Sequence, residues 1–328
     1  MTDQGRIEAA GNIERAAALI REGGVVAFAT ETVYGLGANA LNARAVARVF
    51  ELKARPHFDP LIVHIAAPTE LESLAASIPS AARKLADQFW PGPLTLVLPK
   101  LPVVPDIVTA GLPSVAIRQP DHPVALALIR AAGVPIAAPS ANPFGRTSPT
   151  TAAHVAEQFG EQLEIILDGG DCRVGVESTI VSFAGPVPVL LRPGGIPLEE
   201  IRAAIGPIAV ARTDGDRPLA PGQFPSHYAP CTPMQLHQGG DPRQHSGRIG
   251  LLSFQRPLDC KGLAAVEVLS EQGDLREAAA NLFAAIRRLD AQWLDLILAE
   301  PVPETGLGLA IMDRLRRASV RTTGLSAQ

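Results

Sequence analysis

Short apolar runs alternate with helix-like segments along the first two-thirds of the chain, and this alternation constrains the fold more than any other feature. Runs such as 23–30 (GGVVAFAT) and 93–99 (PLTLVLP) have the length of strands and end at turn residues. Between them, Asn42 precedes a helix-like segment, 42–55, which Pro56 ends. The alternation predicts an α/β domain with a large, twisted mixed sheet and flanking helices.

The pattern changes in the last third of the chain and predicts a second domain. We expect the first domain to cover residues 1–206, because regular strand and helix patterns stop there. Residues 207–235 are rich in Pro and Gly without a sustained period, which is typical of a long linker. Apolar runs and a helical segment return in 236–328 and predict a smaller, Rossmann-like α/β domain.

Composition excludes several classes of protein. The 328 residues are 47% hydrophobic, enough for a large core, yet no apolar run approaches the roughly 20 residues of a membrane helix. The first 20 residues lack the apolar region of a signal peptide, so we expect a cytoplasmic protein without membrane contact. A net charge of −4 and a pI near 6.0 argue against a protein whose main task is to hold nucleic acid. The same net charge is compatible with a local basic cleft.

Neither the cysteines nor the histidines follow a metal-binding pattern. Cys172, Cys231 and Cys260 lie far apart, with no CxxC pair, and are expected to be free thiols. The seven histidines form no HExxH motif. The sequence therefore identifies no metal ligands.

Four cations stand where an anion site would need them. Lys53 and Arg55 lie at the end of a helix-like segment, and the chain has only four lysines against 25 arginines. Arg118 and Arg192 end apolar strands, where open α/β sheets place their ligands. Each cation alone has a simpler explanation, such as a helix C-terminus or a surface carboxylate. Together they indicate a site for phosphate or carboxylate groups.

Three further features leave alternatives open. The segment ETVYGLG (31–37) suits either a glycine-rich phosphate-binding turn or an ordinary tight turn. His64, within an apolar strand, is either a site residue or a buried histidine with a core hydrogen bond. The loop 138–150 carries hydroxyls and an amide that suit a nucleotide or plain turn chemistry. From the residues alone, the chain is an α/β enzyme or binding protein with a cationic, hydroxyl-rich cleft.

A set of motifs resembles the YrdC family, and in particular its longer, two-domain threonylcarbamoyl-AMP synthases. Eight matching stretches occur in the family's order across the first domain, and a ninth in the linker resembles the signature that ends in HYAP. They are TETVYGLGANA (30–40), KARPHFDPLIVHI (53–65), FWPGPLTLVLP (89–99), SVAIRQPDHP (114–123), PIAAPSANPFGRTSPT (135–150), ILDGG (166–170), VESTIVSF (176–183), LLRPGGI (190–196) and PGQFPSHYAP (221–230).

The resemblance implies a reaction. Threonine takes up bicarbonate to give a carbamate, which attacks the α-phosphate of ATP, supplied with Mg²⁺, and yields threonylcarbamoyl-AMP and pyrophosphate. A tRNA threonylcarbamoyltransferase then receives the threonylcarbamoyl group for tRNA modification, so direct tRNA binding by this chain is expected to be weak or absent. Such a nucleotidyltransferase needs positioning and charge stabilisation more than a protein nucleophile.

The resemblance also implies roles for single positions. The family's threonine site matches Thr32, His64, Arg118, Ala138 and Ser178. Its nucleotide-contacting positions match Arg55, Asp59, Ser114, Ser140, Ser148, Arg192 and Tyr228, with Lys53 and Asn142 beside them. Lys53 and Arg55 are the expected catalytic cations, and Tyr228 would bring the linker over the cleft as a lid.

Three positions depart from the family pattern, and two other functions compete. Ala29 replaces a common proline, Ala54 a glycine, and Asp59 an asparagine; Asp59 would contact ribose or help to hold Mg²⁺. An RNA-binding or ribosome-maturation role is one alternative, which the acidic pI disfavours. A relative that uses carbamoyl phosphate is the other, but the extra domains usual in such proteins are not evident in 328 residues.

Overall fold

The computed structural model describes residues 7–9, 12–56, 58–211, 220–222, 224, 227–237, 239, 241–257 and 259–320. Its contacts divide the chain into two compact units. The first comprises 1–144 and 148–223, and the second comprises 145–147 and 224–328. Of the segment predicted as a linker, residues 212–219, 223, 225 and 226 lie outside the described residues, as does part of the motif 221–230.

The described part of the first unit contains eleven strands in one mixed sheet, flanked by helices, which confirms the predicted fold class. The strands are β1 (Ile7–Ala9), β2 (Val26–Phe28), β3 (Gly35–Asn39), β4 (Ile62–His64), β5 (Leu94–Pro99), β6 (Ser114–Arg118), β7 (Ile136–Ala137), β8 (Ile166–Asp168), β9 (Thr179–Ser182), β10 (Val189–Arg192) and β11 (Ala209–Val210). The helices are α1 (Ile13–Arg21), α2 (Ala43–Lys53), α3 (Ser80–Phe89), α4 (Asp106–Thr109), α5 (Pro123–Ala132), α6 (Ala152–Phe159) and α7 (Leu198–Ile205), with 3₁₀ turns at Pro68–Ser73 and Gly160–Gln162.

The strand order in this sheet is β1-β8-β2-β3-β7-β4-β6-β5-β9-β10-β11. Neighbouring strands are therefore often distant in sequence, and both parallel and antiparallel pairs occur. The structure confirms the predicted start of the helix that follows Asn42. The Asn42 side chain accepts hydrogen bonds from the backbone of Arg44 and Ala45, and Thr151 caps α6 in the same way.

The two faces of the sheet bury different amounts of apolar surface. On the β4, β6 and β5 strands, Val63, Ile117 and Leu96 enter the large hydrophobic core beneath α3 and α7. Their strand neighbours Ile62 and Ala116 belong to a smaller apolar cluster on the opposite face. The second face therefore leaves room for polar side chains further along the same strands.

The glycine-containing segment 31–37 differs from its prediction. Gly35 and Gly37 lie within β3, which pairs with β2, so they do not form a phosphate-binding turn. A Cβ atom on Gly37 would lie 2.6 Å from the side chains of Phe28 and Ile136. Close packing against neighbouring side chains therefore explains Gly37.

The second unit contains a parallel four-stranded sheet in its described part, as predicted for a smaller α/β domain. Its elements are β12 (Met234–Leu236), β13 (Ile249–Ser253), β14 (Ala265–Val268), β15 (Leu296–Ala299), α8 (Leu275–Asp290), α9 (Gly308–Ala318) and a 3₁₀ turn at Pro242–Gln244. The strand order is β12-β15-β13-β14. Among the described residues, no helix combines the length and apolar character that crossing a bilayer requires.

Candidate active site

Five strands of the first unit contribute one residue each to a row across the sheet, and four of these residues are polar. His64 of β4 pairs with Arg118 of β6, and one further step of the β6–β5 register brings Thr95 opposite Arg118. Thr95 pairs with Ile180 of β9, which pairs with Arg192 of β10. Adjacent strands lie about 4.8 Å apart and paired residues face the same side. The sheet thus places residues from distant parts of the sequence side by side.

A β-bulge turns Arg192 toward this row. Leu190 pairs with Val181 in the large core, and the register shifts between Leu190 and Arg192. Leu191 belongs to the smaller apolar cluster, together with Ile180. Without the extra residue, alternation would send Arg192 to the same face as Leu190. The bulge instead brings Arg192 to the face that carries the site.

Arg118 is the centre of the part of the row whose residues the family resemblance predicts to bind threonine. It is only 3% exposed. Its Nη1 donates to Thr32 Oγ1 at 3.0 Å, and its Nε donates to the carbonyl of Gly92 at 3.3 Å. Its Nη2 lies 2.5 Å from Oε1 of Glu31, which is fully buried. The guanidinium is therefore held in place on three sides.

His64 lies beside Arg118 and is also buried. The Phe28 ring meets its imidazole edge-on, with ring centroids 6.3 Å apart. Burial, and secondly the positive charge of Arg118, lower the pKa of His64 to about 3. The imidazole is therefore neutral at physiological pH and offers one donor and one acceptor.

Arg55 and Asp59 form a second polar centre at the start of β4. Arg55 Nη2 lies 2.8 Å from Asp59 Oδ2 and donates to the carbonyl of Pro60 at 2.9 Å. Burial raises the pKa of Asp59, against the opposing effects of Arg55, Lys53 and Arg192. Three of the four predicted cations therefore act electrostatically on one buried carboxyl group.

Lys53 is buried and its ammonium group contacts backbone rather than an open cavity. Its Nζ donates to the carbonyl of Ser140 at 2.6 Å and to the carbonyl of Asn142. The carbonyl of Lys53 in turn accepts from the amide of Phe144 at 2.8 Å. Burial, and then the charge of Arg55, lower the pKa of Lys53, while Asp59 opposes the shift. Lys53 thus fastens the end of α2 to the loop 138–150.

Ser178 links the Arg192 end of the row to its centre. Its hydroxyl lies 2.7 Å from Thr95 Oγ1, and Arg192 Nη2 donates to that hydroxyl at 3.1 Å and to the Ser178 carbonyl at 3.0 Å. Nearby in sequence, Glu177 Oε1 accepts from the Ser148 hydroxyl at 2.6 Å. These bonds join the loop before β9 to three other parts of the unit.

The other predicted site residues lie at varying distances from the row. The Ala138 amide donates to the carbonyl of Ile62 at 2.9 Å, and Ser140 bridges to Gly35. Ser114 starts the strand that Arg118 ends, so the two are separated by about 13 Å along β6. Ser114 therefore lies at the end of β6 that is remote from Arg118.

Tyr228 lies in the second unit, where it is 1% exposed. Its ring stacks on Phe283 with centroids 5.5 Å apart, and Arg314 lies over it at 5.2 Å. Its backbone has a φ of 66°, which is unusual for a bulky residue. Its predicted contact with a nucleotide stays a prediction.

Sequence reasoning missed Glu31, Thr95 and Glu177. Glu31 stands between two threonines in a buried segment, and an acid in such a segment must find a partner. Thr95 is a polar residue on the predicted strand 93–99 and gave the clearest available signal. Glu177 gave none beyond its place in a matching motif.

Each carboxylate of the site pairs with a cation or accepts from a hydroxyl, and the three do not converge on one position as metal ligands would. Glu31 faces Arg118, Asp59 faces Arg55, and Glu177 accepts from Ser148. Within the described ranges, no group of three or more His, Cys, Asp or Glu residues is arranged to hold a metal ion.

Comparison with known proteins relates the chain to one family over nearly its whole length. Residues 18–194 match the Sua5–YciO–YrdC family, described as "Telomere recombination", and residues 196–320 match "Threonylcarbamoyl-AMP synthase, C-terminal domain". Threonylcarbamoyl-AMP synthases of Bacillus subtilis and Pyrococcus abyssi are 48% and 51% identical over 320 residues. The alignments cover 94% of this chain and 92% and 94% of those proteins, respectively.

A solved structure gives the same result. The crystal structure of P. abyssi Sua5 complexed with L-threonine matches with a TM-score of 0.88 and 48% identity, covering 96% of this chain and 95% of that one. On these sequence and structure matches, the chain belongs to the Sua5–YciO–YrdC family, in its two-domain form.

Proposed function

We propose that this chain is a threonylcarbamoyl-AMP synthase, which makes threonylcarbamoyl-AMP and pyrophosphate from L-threonine, bicarbonate and ATP. This is the first step in forming threonylcarbamoyladenosine in tRNA. Two nearly full-length relatives bear that name, and a similar structure binds L-threonine. The observation that carries the proposal is the row from His64 to Arg192, which puts two guanidiniums on one face of one sheet.

The charges of the substrates explain why such a row is needed. Threonine contributes a carboxylate, bicarbonate a second anion, and ATP a triphosphate, and these groups repel one another in water. Arg118 offers a planar guanidinium to the amino acid carboxylate. Arg55 and Arg192 would bind phosphate oxygens, while Mg²⁺ arrives with ATP and neutralises part of the triphosphate charge. No residue needs to act as a covalent nucleophile.

The chemical class of the reaction is adenylyl transfer. The threonine nitrogen displaces water from bicarbonate to form the carbamate, whose oxygen then attacks the α-phosphorus while pyrophosphate leaves. The neutral imidazole of His64, next to Arg118, can exchange hydrogen bonds with the substrate without adding charge. The roles proposed for Thr32, His64, Arg118, Ala138 and Ser178 toward threonine follow the family resemblance.

The proposal also includes what happens to the product after its release. Threonylcarbamoyl-AMP is a reactive mixed anhydride, so a cytoplasmic transferase must take it up and pass its acyl group to tRNA. The net charge of −4 fits a chain that binds tRNA weakly or not at all.

The test measures the release of pyrophosphate from ATP in a solution that also contains Mg²⁺, threonine and bicarbonate. Leaving out either substrate should abolish the signal. Arg118→Ala should raise the KM for threonine at least about 100-fold. Arg118 is buried, so the carboxylate of bound threonine would lose its charged partner in a site away from water. Arg83→Ala, at an exposed position paired with Glu72, is the matched control and should behave like wild type. A rate of pyrophosphate release that does not depend on threonine would overturn the proposal.

A further inference from the structure

Glu31 is a buried carboxylate whose charge is only partly matched by the protein. Its side chain is fully buried, and its Oε1 lies 2.5 Å from Arg118 Nη2. Among the residues that the structure describes, none donates a hydrogen bond to its other oxygen, Oε2. An anionic oxygen away from water without a donor is costly, so a site that keeps one is expected to fill it with a ligand.

The surroundings indicate which ligand would fill it. Arg118, which touches Glu31, also donates to Thr32, and both match the threonine site of the family. A guanidinium and a carboxylate side by side match the two charges of an α-amino acid, whose ammonium and carboxylate share one carbon atom. The carboxylate of the substrate suits Arg118, and its ammonium suits the buried oxygen of Glu31 that has no hydrogen-bond donor, Oε2.

We infer that Glu31 is a substrate-binding residue that receives the amino group of the amino acid through Oε2. The inference rests on the proposed function and names the group that recognises the nitrogen nucleophile. That nitrogen keeps one N–H after the carbamate has formed, so the same oxygen can hold it before and after bicarbonate is captured. Glu31 would thus select amino acids over hydroxy acids and simple carboxylates.

The polypeptide around Glu31 holds the carboxylate in place. The carbonyl of Glu31 accepts from the amide of Val174 at 2.8 Å, and Thr30 Oγ1 donates to the carbonyl of Val33 at 2.6 Å. These bonds fix the backbone of the segment, and complete burial leaves the Glu31 side chain little space to move away from Arg118. A fixed carboxylate favours recognition of a ligand over a mobile surface role.

The test compares two ligands by isothermal titration calorimetry without ATP or bicarbonate. They are L-threonine and (3R)-3-hydroxybutanoate, which is threonine without its amino group. Wild-type protein should bind threonine about 10- to 100-fold more tightly than the analogue, as expected for one charge-assisted hydrogen bond. Equal affinities in the wild type would overturn the inference, and this comparison requires no variant to fold.

Glu31→Gln then separates recognition from support of Arg118. The variant should lose most of its affinity for threonine but keep its affinity for the analogue within about two-fold, since only threonine carries the amino group. Glu72→Gln, at an exposed position, is the matched control. If Glu31→Gln weakens both ligands equally, Glu31 only orients Arg118 and the inference is wrong. Failure of the pyrophosphate assay with preserved discrimination would contradict the proposed function alone.

Discussion

Replacing Lys53 by methionine separates a structural role of this lysine from the catalytic role that the sequence predicts. Methionine keeps most of the side-chain length but removes all N–H donors. In the structure, Lys53 Nζ donates to the carbonyls of Ser140 and Asn142, which hold the loop 138–150. The substitution therefore leaves two carbonyl groups of that loop without this donor.

The expected size of the effect follows from these two bonds. A buried acceptor that loses its donor costs about 1–3 kcal/mol, so two give about 2–6 kcal/mol. Removing a buried ammonium offsets part of this cost, because burial already disfavours its charged form and lowers the pKa of Lys53. We expect a net loss of about 2–4 kcal/mol, equivalent to a fall in Tm of roughly 4–16 °C for a unit of this size.

Differential scanning calorimetry measures the Tm, and pyrophosphate release measures activity. Because the loop carries Ser140, Asn142 and Ser148, the KM for ATP should rise along with the loss of stability. Lys84→Met, at an exposed position of α3, is the control and should leave both quantities unchanged. An unchanged Tm with a collapsed kcat would refute the structural role and favour direct catalysis by Lys53.

Three further predictions concern single residues. Ala54→Gly should stabilise the protein by about 0.5–1 kcal/mol in urea unfolding, because Ala54 has a φ of 50°, a strained value that glycine adopts freely; lower stability would contradict this. His64→Gln should reduce the loss of stability between about pH 7.5 and 5.5 by roughly 1.3 kcal/mol. Folding lowers the pKa of His64 from 6.5 to about 3. The contribution of neutral His64 to the free energy of unfolding is therefore fully present above pH 6.5, and it is lost at lower pH because acid protonates the unfolded chain but not the folded one. Asp59→Asn should lower the KM for ATP several-fold, because it removes a negative charge beside Arg55; a raised KM would show that Asp59 helps to bind nucleotide.

Much of the fold could be predicted because its strands are short apolar runs with clear ends. The run 93–99 became β5, the apolar strand that ends at Arg118 became β6, and Asn42 capped α2 as expected. The segment 31–37 was harder. Its glycines suggested a turn. In the structure, side chains of β2 and β7 leave no room for a Cβ atom at Gly37, and the local sequence does not reveal these neighbours.

The cations of the site could be predicted, but their arrangement could not. Arg118 ends an apolar strand, and this position at the carboxyl end of a strand could be predicted from sequence alone. Arg192 reaches the same face only through a register shift, and strict alternation would have sent it to the large core. The pairing of Glu31 with Arg118 joins residues from distant segments, and local patterns carry no information about such a contact.

The row of site residues has a consequence for how the protein is made. Its members are carried by five strands between residues 62 and 192, and the strand order interleaves them in space. Contacts of such large sequence separation form late and slowly. A nascent chain therefore has no working substrate site until residue 192 has left the ribosome and β10 has joined the sheet, so substrate can stabilise only the completed first unit.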